Sequence, residues 1–492
     1  VTYTPEAFVS LGGGLNTRDR EDATDPSQAI DLMNVTFTRR GSVTQRDGYD
    51  NLGSAQTLAA ATMIPYYVTA SSTAQIVAGC GTRLEGLDNA GAVVASAIGL
   101  TTGTWGFARF GTPGNEVVYA GQGSANLNKW NGTAWTTAIP DTPEAGSLAV
   151  MAKSNRLVAG RFNNTTGAPD GTTSSPSHVF FSNAGQPETW TATNFTQLTP
   201  GDGEKVQAIV AWGDNVFVFK ESKFFVIYGE SQDSGGLPVF DYRTVNSGVG
   251  ALGPKAVCAG TDGVYVASRS GVYRTTGGEP QLISDPIDPI FDSSVPASPF
   301  YLGGTLLQSA ASNTALWWHN DRLYVAYTST GASNNRTLVY DPIYEWWSLW
   351  DLPAACGMSF RRSSTPELVF ADTTNKKLYN QTAAHTSDDG TAITSRWRSG
   401  WQDFNSGSQK VIRETKMWGS GKVALGVSWD FAQGGGETTL VDLSLTGASA
   451  TTFGGTGTFG GSGYFGDLTP AQKGRVRRKA VRGTAFSTSL TN

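Results

Sequence analysis

Along the chain, short apolar runs rich in Val, Tyr and Phe recur in pairs, each run closed by a polar turn containing Gly, Asn, Asp or Ser. The instances are TAQIVAGCGTRLEGLD from Thr73, GNEVVYAGQGSANLNKWNG from Gly114, SNRLVAGRF from Ser154 and GDNVFVFKESKFFVIYG from Gly213, followed by TDGVYVASRSGVYRTTG from Thr261, NDRLYVAYTS from Asn320 and TPELVFADTTNKKLYN from Thr365. Runs of this length between turn residues predict paired β-strands. Measured between the pairs Ile76-Val77, Val117-Val118, Leu157-Val158, Val216-Phe217, Val264-Tyr265, Leu323-Tyr324 and Leu368-Val369, the intervals are 41, 40, 59, 48, 59 and 45 residues. A period of roughly 40 to 50 residues predicts the blades of a β-propeller. NVFVFK and KFFVIY are apolar at consecutive positions, as expected of strands covered on both faces by neighbouring blades. A β-sandwich would give short strands and glycine turns but no such long period.

The two intervals of 59 residues each hold a turn-rich insertion, Asn163 to Pro176 in one and SDPIDPIFDSSVPASP in the other. Beyond Asn380 the pattern changes to SRWRSGWQDFNSG, KVIRETKMWGSG and KVALGVSWDF, which predict longer strands with turns at Asn405-Ser406-Gly407 and Gly419-Ser420-Gly421. In FGGTGTFGGSGYFG, Phe453, Phe459 and Phe465 recur among glycines, reading as a pliable linker or as a docking arm with aromatic anchors. The expected fold is all-β, a propeller with irregular blades plus a C-terminal β-sheet module. Its expected divisions are an N-terminal arm, short helix and first strands over 1–60, the propeller over 61–390, the β-sheet module over 391–450, and the Gly/aromatic repeat with a closing basic strand over 451–492. The helix is expected around Gln28, Ala29, Ile30, Leu32 and Met33, after Asp25-Pro26.

Composition fits this picture. Among 492 residues there are 60 glycines, and charged residues make up only 16%, which implies many tight turns and few charged helices. The net charge of −5 argues against a surface that wraps nucleic acid throughout. Cys80, Cys258 and Cys356 are too scattered for a disulfide framework or a zinc site, so buried reduced thiols are expected. The start VTYTPEAF lacks a signal-peptide pattern and no stretch has the apolar length of a membrane span, so assembly in a cytoplasm is the expectation.

Candidate chemistry is sparse. The glycines of LGGGLNTRDRED lack the Lys-Ser/Thr of a phosphate loop, and Thr17 stands where a dinucleotide fingerprint needs its third glycine. His178, His319 and His385 are isolated from any nucleophile elbow or zinc motif and read as structural. Two carboxylates could form a glycosidase pair across a propeller mouth, and the tryptophans of WWHN (Trp317 to Asn320) and EWWSLW (Glu345 to Trp350) could be sugar platforms, although such clusters more often form inter-blade core. FFSNAGQPETW superficially resembles a sialidase Asp-box, but Ala184 and Gly185 stand where the Asp and its spacing are needed. No cofactor and no metal is expected.

Three segments carry a resemblance to a known family. GGGLNTRDREDATDPSQAIDLMNVTFTRRGSVTQRDGYDNLG (Gly12 to Gly53), Phe180 to Gly229 with its Gly-x-Pro-x-x-Trp, Gly-Asp-Gly and Phe-Lys-Glu elements, and the terminal RVRRKAVRGTAFSTSLTN are similar to the tail nozzle, or tubular tail protein B-like, family of short-tailed bacteriophages. That family is related to the packaged-DNA stabilisation proteins that plug the head, and the motifs do not separate nozzle from plug. The resemblance implies a propeller-containing structural subunit, not an enzyme. It would assemble as a ring with itself, expected as a hexamer, below the portal and adaptor and around a double-stranded DNA channel. Tail fibres are a further candidate partner, and the virion tail is the implied location.

Two clusters are the expected assembly contacts. Arg18, Asp19, Arg20, Glu21 and Asp22 carry too much charge for a core, so the arm is expected at a boundary with a neighbouring component. The basic tail holds Lys473, Arg475, Arg477, Arg478, Lys479 and Arg482, and as a strand it would put Arg475, Arg477 and Lys479 on one face. These three are expected to meet acidic groups of the same or an adjacent subunit rather than DNA, because each phosphate contact would slow a passing duplex. The alternative function is a carbohydrate-binding or glycan-cleaving propeller at the tail tip.

Overall fold

In the computed structural model, residues 11–491 are described apart from 39–40, 57–58, 69–72, 102, 112–114, 163–175, 233, 235–237, 246, 363–364, 373, 403–409, 420, 430–437, 446–471 and 484–485; beyond residue 402 the description is of backbone alone. The Asn163 to Pro176 insertion and the Phe453, Phe459 and Phe465 repeat therefore fall almost wholly or wholly outside the described residues.

Seven sheets follow one another in sequence as blades of a propeller. Blades 1 to 6 have four antiparallel strands each and span 62–97, 106–136, 145–197, 208–245, 257–282 and 315–350. All seven apolar pairs of the repeat lie in the second strand of a blade: Thr73–Cys80, Val117–Gly121, Arg156–Phe162, Asn215–Phe219, Val264–Ser268, Arg322–Tyr327 and Glu367–Asp372. These strands are the most buried because sheets cover both of their faces, which is what their continuous apolar runs require.

Blade 7 is closed by residues from far away in sequence. Its strands Ala354–Phe360, Glu367–Asp372 and Lys377–Gln381 are completed by Tyr49–Asn51, with Tyr379 opposite Asn51 and Gln381 opposite Tyr49. Tyr49 lies edge-on to Phe370, with ring centroids 5.1 Å apart. The first strands neighbour one another all the way round, blade 7 against blade 1 included, so the circle is shut by pairing the chain's early and late segments.

The core lies between blades. Phe181 of blade 3 stacks on Phe240 of blade 4 at 3.5 Å, and Trp317 and Tyr324 of blade 6 cluster with Phe370 and Tyr379 of blade 7. Gly357 is part of that fit, since a Cβ there would run into the Trp317 ring.

The chain divides into two compact units. The propeller unit is Asp47–Pro296 with Gly304–Ile393, and the second unit gathers residues up to Arg46, Ala297–Gly303 and residues from Thr394. The propeller unit thus begins before residue 61, and the second 59-residue interval contains Ala297–Gly303, which belongs to the other unit. That unit contains an antiparallel sheet in the order Ala29–Met33, Arg396–Ser399, Phe486–Thr491, Gly421–Trp429, Thr438–Leu445. Lys410–Gly419 pairs separately with Gln472–Gly483.

The expected short helix around Gln28 to Met33 is instead the buried strand Ala29–Met33. So short an apolar-rich run cannot sustain a helix, whereas both strand edges find partners: Arg396–Ser399 on one side and a parallel bridge from Leu15 on the other. The triple glycine allows this. Gly14 adopts φ 81°, a conformation that favours glycine, and its carbonyl accepts from Ala29 N while Asn16 N donates to Ala29 O.

Candidate functional site

Phe-Lys-Glu begins where the apolar run Val216 to Phe219 of blade 4 ends, and its lysine has to find partners inside the protein. Lys220 follows Asn215–Phe219 and is 0% exposed. Its ammonium donates to Asp202 Oδ2 (2.8 Å) and Oδ1 (3.0 Å), to Ser177 Oγ (2.9 Å) and to the Leu198 carbonyl (2.9 Å). Asp202 sits between Gly201 and Gly203, at φ 80° and 77°, in the connection from blade 3 to blade 4. Its carboxylate also accepts from Thr199 Oγ1 (2.7 Å), Glu204 N (3.0 Å) and Lys223 Nζ (3.2 Å). Burial alone would raise its pKa, but the bonds from Lys220, Thr199, Glu204 N and Lys223 hold it far below the usual carboxylate range. Glu204 accepts from the Ser222 hydroxyl and backbone N–H in the same turn. Both ends of this ion pair are saturated, so the arrangement fastens a loop to a hairpin and leaves neither group available to a substrate.

Similar ties join neighbouring blades, including a second one between blades 3 and 4. Arg156 of blade 3 holds Glu230 of blade 4 in a two-pronged pair (2.9 and 2.6 Å) and donates to Ser182 O (2.6 Å). Glu188, in the Gly-x-Pro-x-x-Trp element of blade 3, accepts from Tyr119 and Lys129 of blade 2 at 2.7 and 2.5 Å. The interior charges of this region are spent on holding blades together.

The five arm residues are on or near the surface of their own unit, but the arm itself is built in. Arg18, Asp19, Arg20 and Asp22 are exposed and Glu21 is half-buried. Buried Asn16 organises the turn, its Oδ1 accepting from Arg18 N (3.1 Å) and Asp19 N (3.0 Å) and its Nδ2 donating to Asp19 Oδ2 and Gln28 Oε1, both at 2.8 Å. Arg20 pairs with Asp22 (2.9 Å), and Glu21 accepts from Ser298 Oγ (2.8 Å). The backbone of the arm is thus internal structure of its own unit, with Arg18, Asp19, Arg20 and Asp22 exposed on it and Glu21 tied to Ser298.

In the basic tail, Gln472–Gly483 is a strand in which Arg475 stands opposite Lys416 and Arg477 opposite Glu414. Lys479 lies in the same strand, while the side chains of all three are outside the described residues.

The tryptophans of the two dense clusters are mostly core. Trp317, Trp346, Trp347 and Trp350 are buried, and Trp347 Nε1 donates to Ile283 O (2.9 Å). His319 is desolvated and depressed to about 4, with Arg322 adding to the effect, and it contacts Ser359 Oγ at 3.1 Å. The three cysteines are free thiols, all pushed up chiefly by burial, Cys356 to about 12.

Asp202, Lys220, Arg156, Glu230 and Glu188 were not singled out from sequence. The available signal was a lysine directly after an apolar strand with an acid in a nearby glycine turn, since a charge so placed requires a partner.

No protein-family model and no curated protein matches the chain. Among solved structures, it is similar to BBS1N crystallised with ARL6DN, at 12% identity and TM-score 0.42 over 70% of this chain and 98% of that one. Raptor from Chaetomium thermophilum matches at 11% identity and TM-score 0.43, over 68% of this chain and 29% of that one. The Cps50 (Swd1) β-propeller domain from Myceliophteria thermophila matches at 8% and 0.41, over 68% of this chain and all of that one. The propeller itself is established by the closed succession of blades.

Proposed function

We propose that the chain is a structural subunit of a short-tailed bacteriophage tail nozzle, forming a ring below the portal and adaptor around the DNA ejection channel and helping to retain the packaged genome. One observation carries this reading: the segments that resemble the nozzle family are fastening elements of the fold. Gly12 to Gly53 supplies both the strand Ala29–Met33 and the closing strand Tyr49–Asn51, and Phe180 to Gly229 contains the Lys220–Asp202 tie. Residues used in this way suit a part whose task is mechanical.

A subunit of this kind forms a wall, and DNA passes without sequence-specific binding. The mild acidity of the chain limits phosphate contacts that would hold the duplex back. The glycan-directed alternative loses its most direct candidates, because Trp346 and Trp347 are buried. Negative-stain imaging of the purified chain and of virion tails tests the proposal. Rings below the portal are expected; monomers, or trimers attached at the tail tip that trim host glycans, would overturn it.

A further inference from the structure

Lys410–Gly419 and Gln472–Gly483 form a two-stranded antiparallel ribbon in the second unit. Together they hold nine of the chain's 36 lysines and arginines and a single acid, Glu414, a charge of +8 in a chain whose total is −5. The remaining residues therefore carry −13.

The register sorts these cations. Residues opposite one another share a face of the ribbon, so Glu414, Lys416 and Trp418 fall on one face with Arg477, Arg475 and Lys473. Thr415, Met417 and Gly419 fall on the other with Val476, Gly474 and Gln472, a stretch without charge. On the charged face Arg477 stands opposite the one acid, whereas Arg475 stands opposite Lys416 and Lys473 opposite Trp418. Like charges directly opposite weaken a strand pair, so the ribbon keeps three cations in register at a cost and without an acid to offset them.

A second feature adds to the first. Arg413 alone stands between Ile412, opposite Val481, and Glu414, opposite Arg477, so that Arg478, Lys479 and Ala480 form a bulge against it. A bulge breaks the ladder locally and increases its twist. Here it gathers three more cations, Arg413, Arg478 and Lys479, into one short stretch.

Spacing identifies the partner. Lys473, Arg475 and Arg477 follow one another at intervals of about 6.8 Å along an extended strand, twice the axial rise of about 3.4 Å per phosphate along one strand of duplex DNA. An acidic protein surface has no such repeat. Five of the nine cations are arginines, whose planar fork matches phosphate oxygens.

We propose that the charged face and the bulge of this ribbon form a sequence-independent contact for the phosphate backbone of double-stranded DNA. The negative charge of the rest of the chain repels that backbone, which confines the contact to the ribbon and holds a duplex at a few phosphates rather than along a basic wall. For its setting the contact rests on the proposed retention of the packaged genome; the binding itself is tested apart from ring formation.

The probe is a fluorescently labelled duplex of about 20 base pairs, titrated with the full chain between about 50 and 200 mM salt and followed by anisotropy. Binding indifferent to sequence is expected, with a slope of log affinity against log salt of roughly −4 to −5 for contacts by Lys473, Arg475, Arg477, Arg478 and Lys479. K473Q/R475Q/R477Q should flatten that slope by about 2 to 3 and R478Q/K479Q by about 2, while R18Q/R20Q, which removes two exposed cations of the arm, should leave it unchanged. A wild-type chain that does not bind the duplex overturns the proposal, as does a wild-type slope in either ribbon variant, the second deciding if the first does not fold. Equal flattening in R18Q/R20Q overturns it too, since net charge alone would then govern binding. So does self-association lost in the ribbon variants with DNA affinity unchanged, which would make the partner a second copy of the chain. Rings in negative stain that do not bind DNA sink this contact alone; monomers that bind DNA through the ribbon support it and sink the ring.

Discussion

The junction between blades 3 and 4 and the N-terminal arm both lie in segments that resemble the same family, and both are dense in charge, yet they use charge in opposite ways. At the junction, Lys220 is 0% exposed and Asp202 is engaged by Lys220, Thr199, Glu204 N and Lys223 together. In the arm, the Arg20–Asp22 pair has side chains 83% and 40% exposed, while the work of holding the turn falls to the uncharged Asn16. A buried ion pair commits its residues to the fold. Charge held at the surface by a neutral scaffold can act on another molecule without weakening the chain. The first region should therefore be read through stability and the second through assembly.

The largest effect is expected from K220A. Removing the ammonium leaves the Asp202 carboxylate, the Leu198 carbonyl and the Ser177 hydroxyl without their shared donor, a loss of about 3–5 kcal/mol in unfolding free energy by analogy with broken buried pairs. Urea denaturation of the full chain measures it; a change within error would mean that the junction does not govern stability. The pH dependence gives a second handle. Because the folded pKa of Asp202 is depressed, its contribution is fully present above the unfolded value near about 3.9 and is lost as pH falls towards the folded value. Wild-type stability should thus decline below about pH 4, and D202N should start lower at neutral pH and decline less steeply. Parallel slopes for the two proteins would remove Asp202 as the cause.

How much of this contrast was legible beforehand depends on the kind of signal. The blades were readable because each second strand is covered on both sides, so Val216-Phe217 and Leu323-Tyr324 announce themselves as uninterrupted apolar positions at a recurring distance. Tyr49–Asn51 was not readable as part of the propeller: so short a stretch, exposed at its centre, has no periodicity of its own, and it is strand only because Lys377–Gln381 offers an open edge. Ala29–Met33 was misread as helix for the same reason, since its partners Leu15 and Arg396–Ser399 are distant or irregular in sequence. The Lys220–Asp202 tie was half visible. Each residue was quoted in a motif, but the pairing needs the blade 3–4 connection to fold back on the hairpin.

An intermediate effect should come from N16A, which tests whether the arm's scaffold is as internal as its geometry indicates. Asn16 is buried and its side chain makes four hydrogen bonds, two of them to backbone N–H groups. Leaving those donors without their acceptor is expected to cost about 1–3 kcal/mol, seen as a lower thermal midpoint and as earlier proteolysis of the arm. An unchanged midpoint would mean that the Asn16 bonds do not hold the arm within its unit.

The smallest effect on stability, and the sharpest separation of the two regions, is expected from R18E/R20E. Both side chains are exposed, and the Arg20–Asp22 contact is of the surface kind worth about 0–1 kcal/mol. Reversing both charges should move the isolated chain's midpoint by less than N16A does. The same change turns a patch of alternating sign into an unbroken acidic run across positions 18–22, and a partner surface shaped for alternating charge would meet repulsion instead. On the proposed function, ring formation or joining to an adaptor is therefore expected to fail while the monomer stays folded, as sedimentation of the variant beside wild type would reveal. A variant that assembles normally would confine the arm to its own unit and leave the contacts between subunits to other surfaces. A variant that unfolds would show that the charges, and not Asn16 alone, hold the turn, and the contrast with the blade 3–4 junction would collapse.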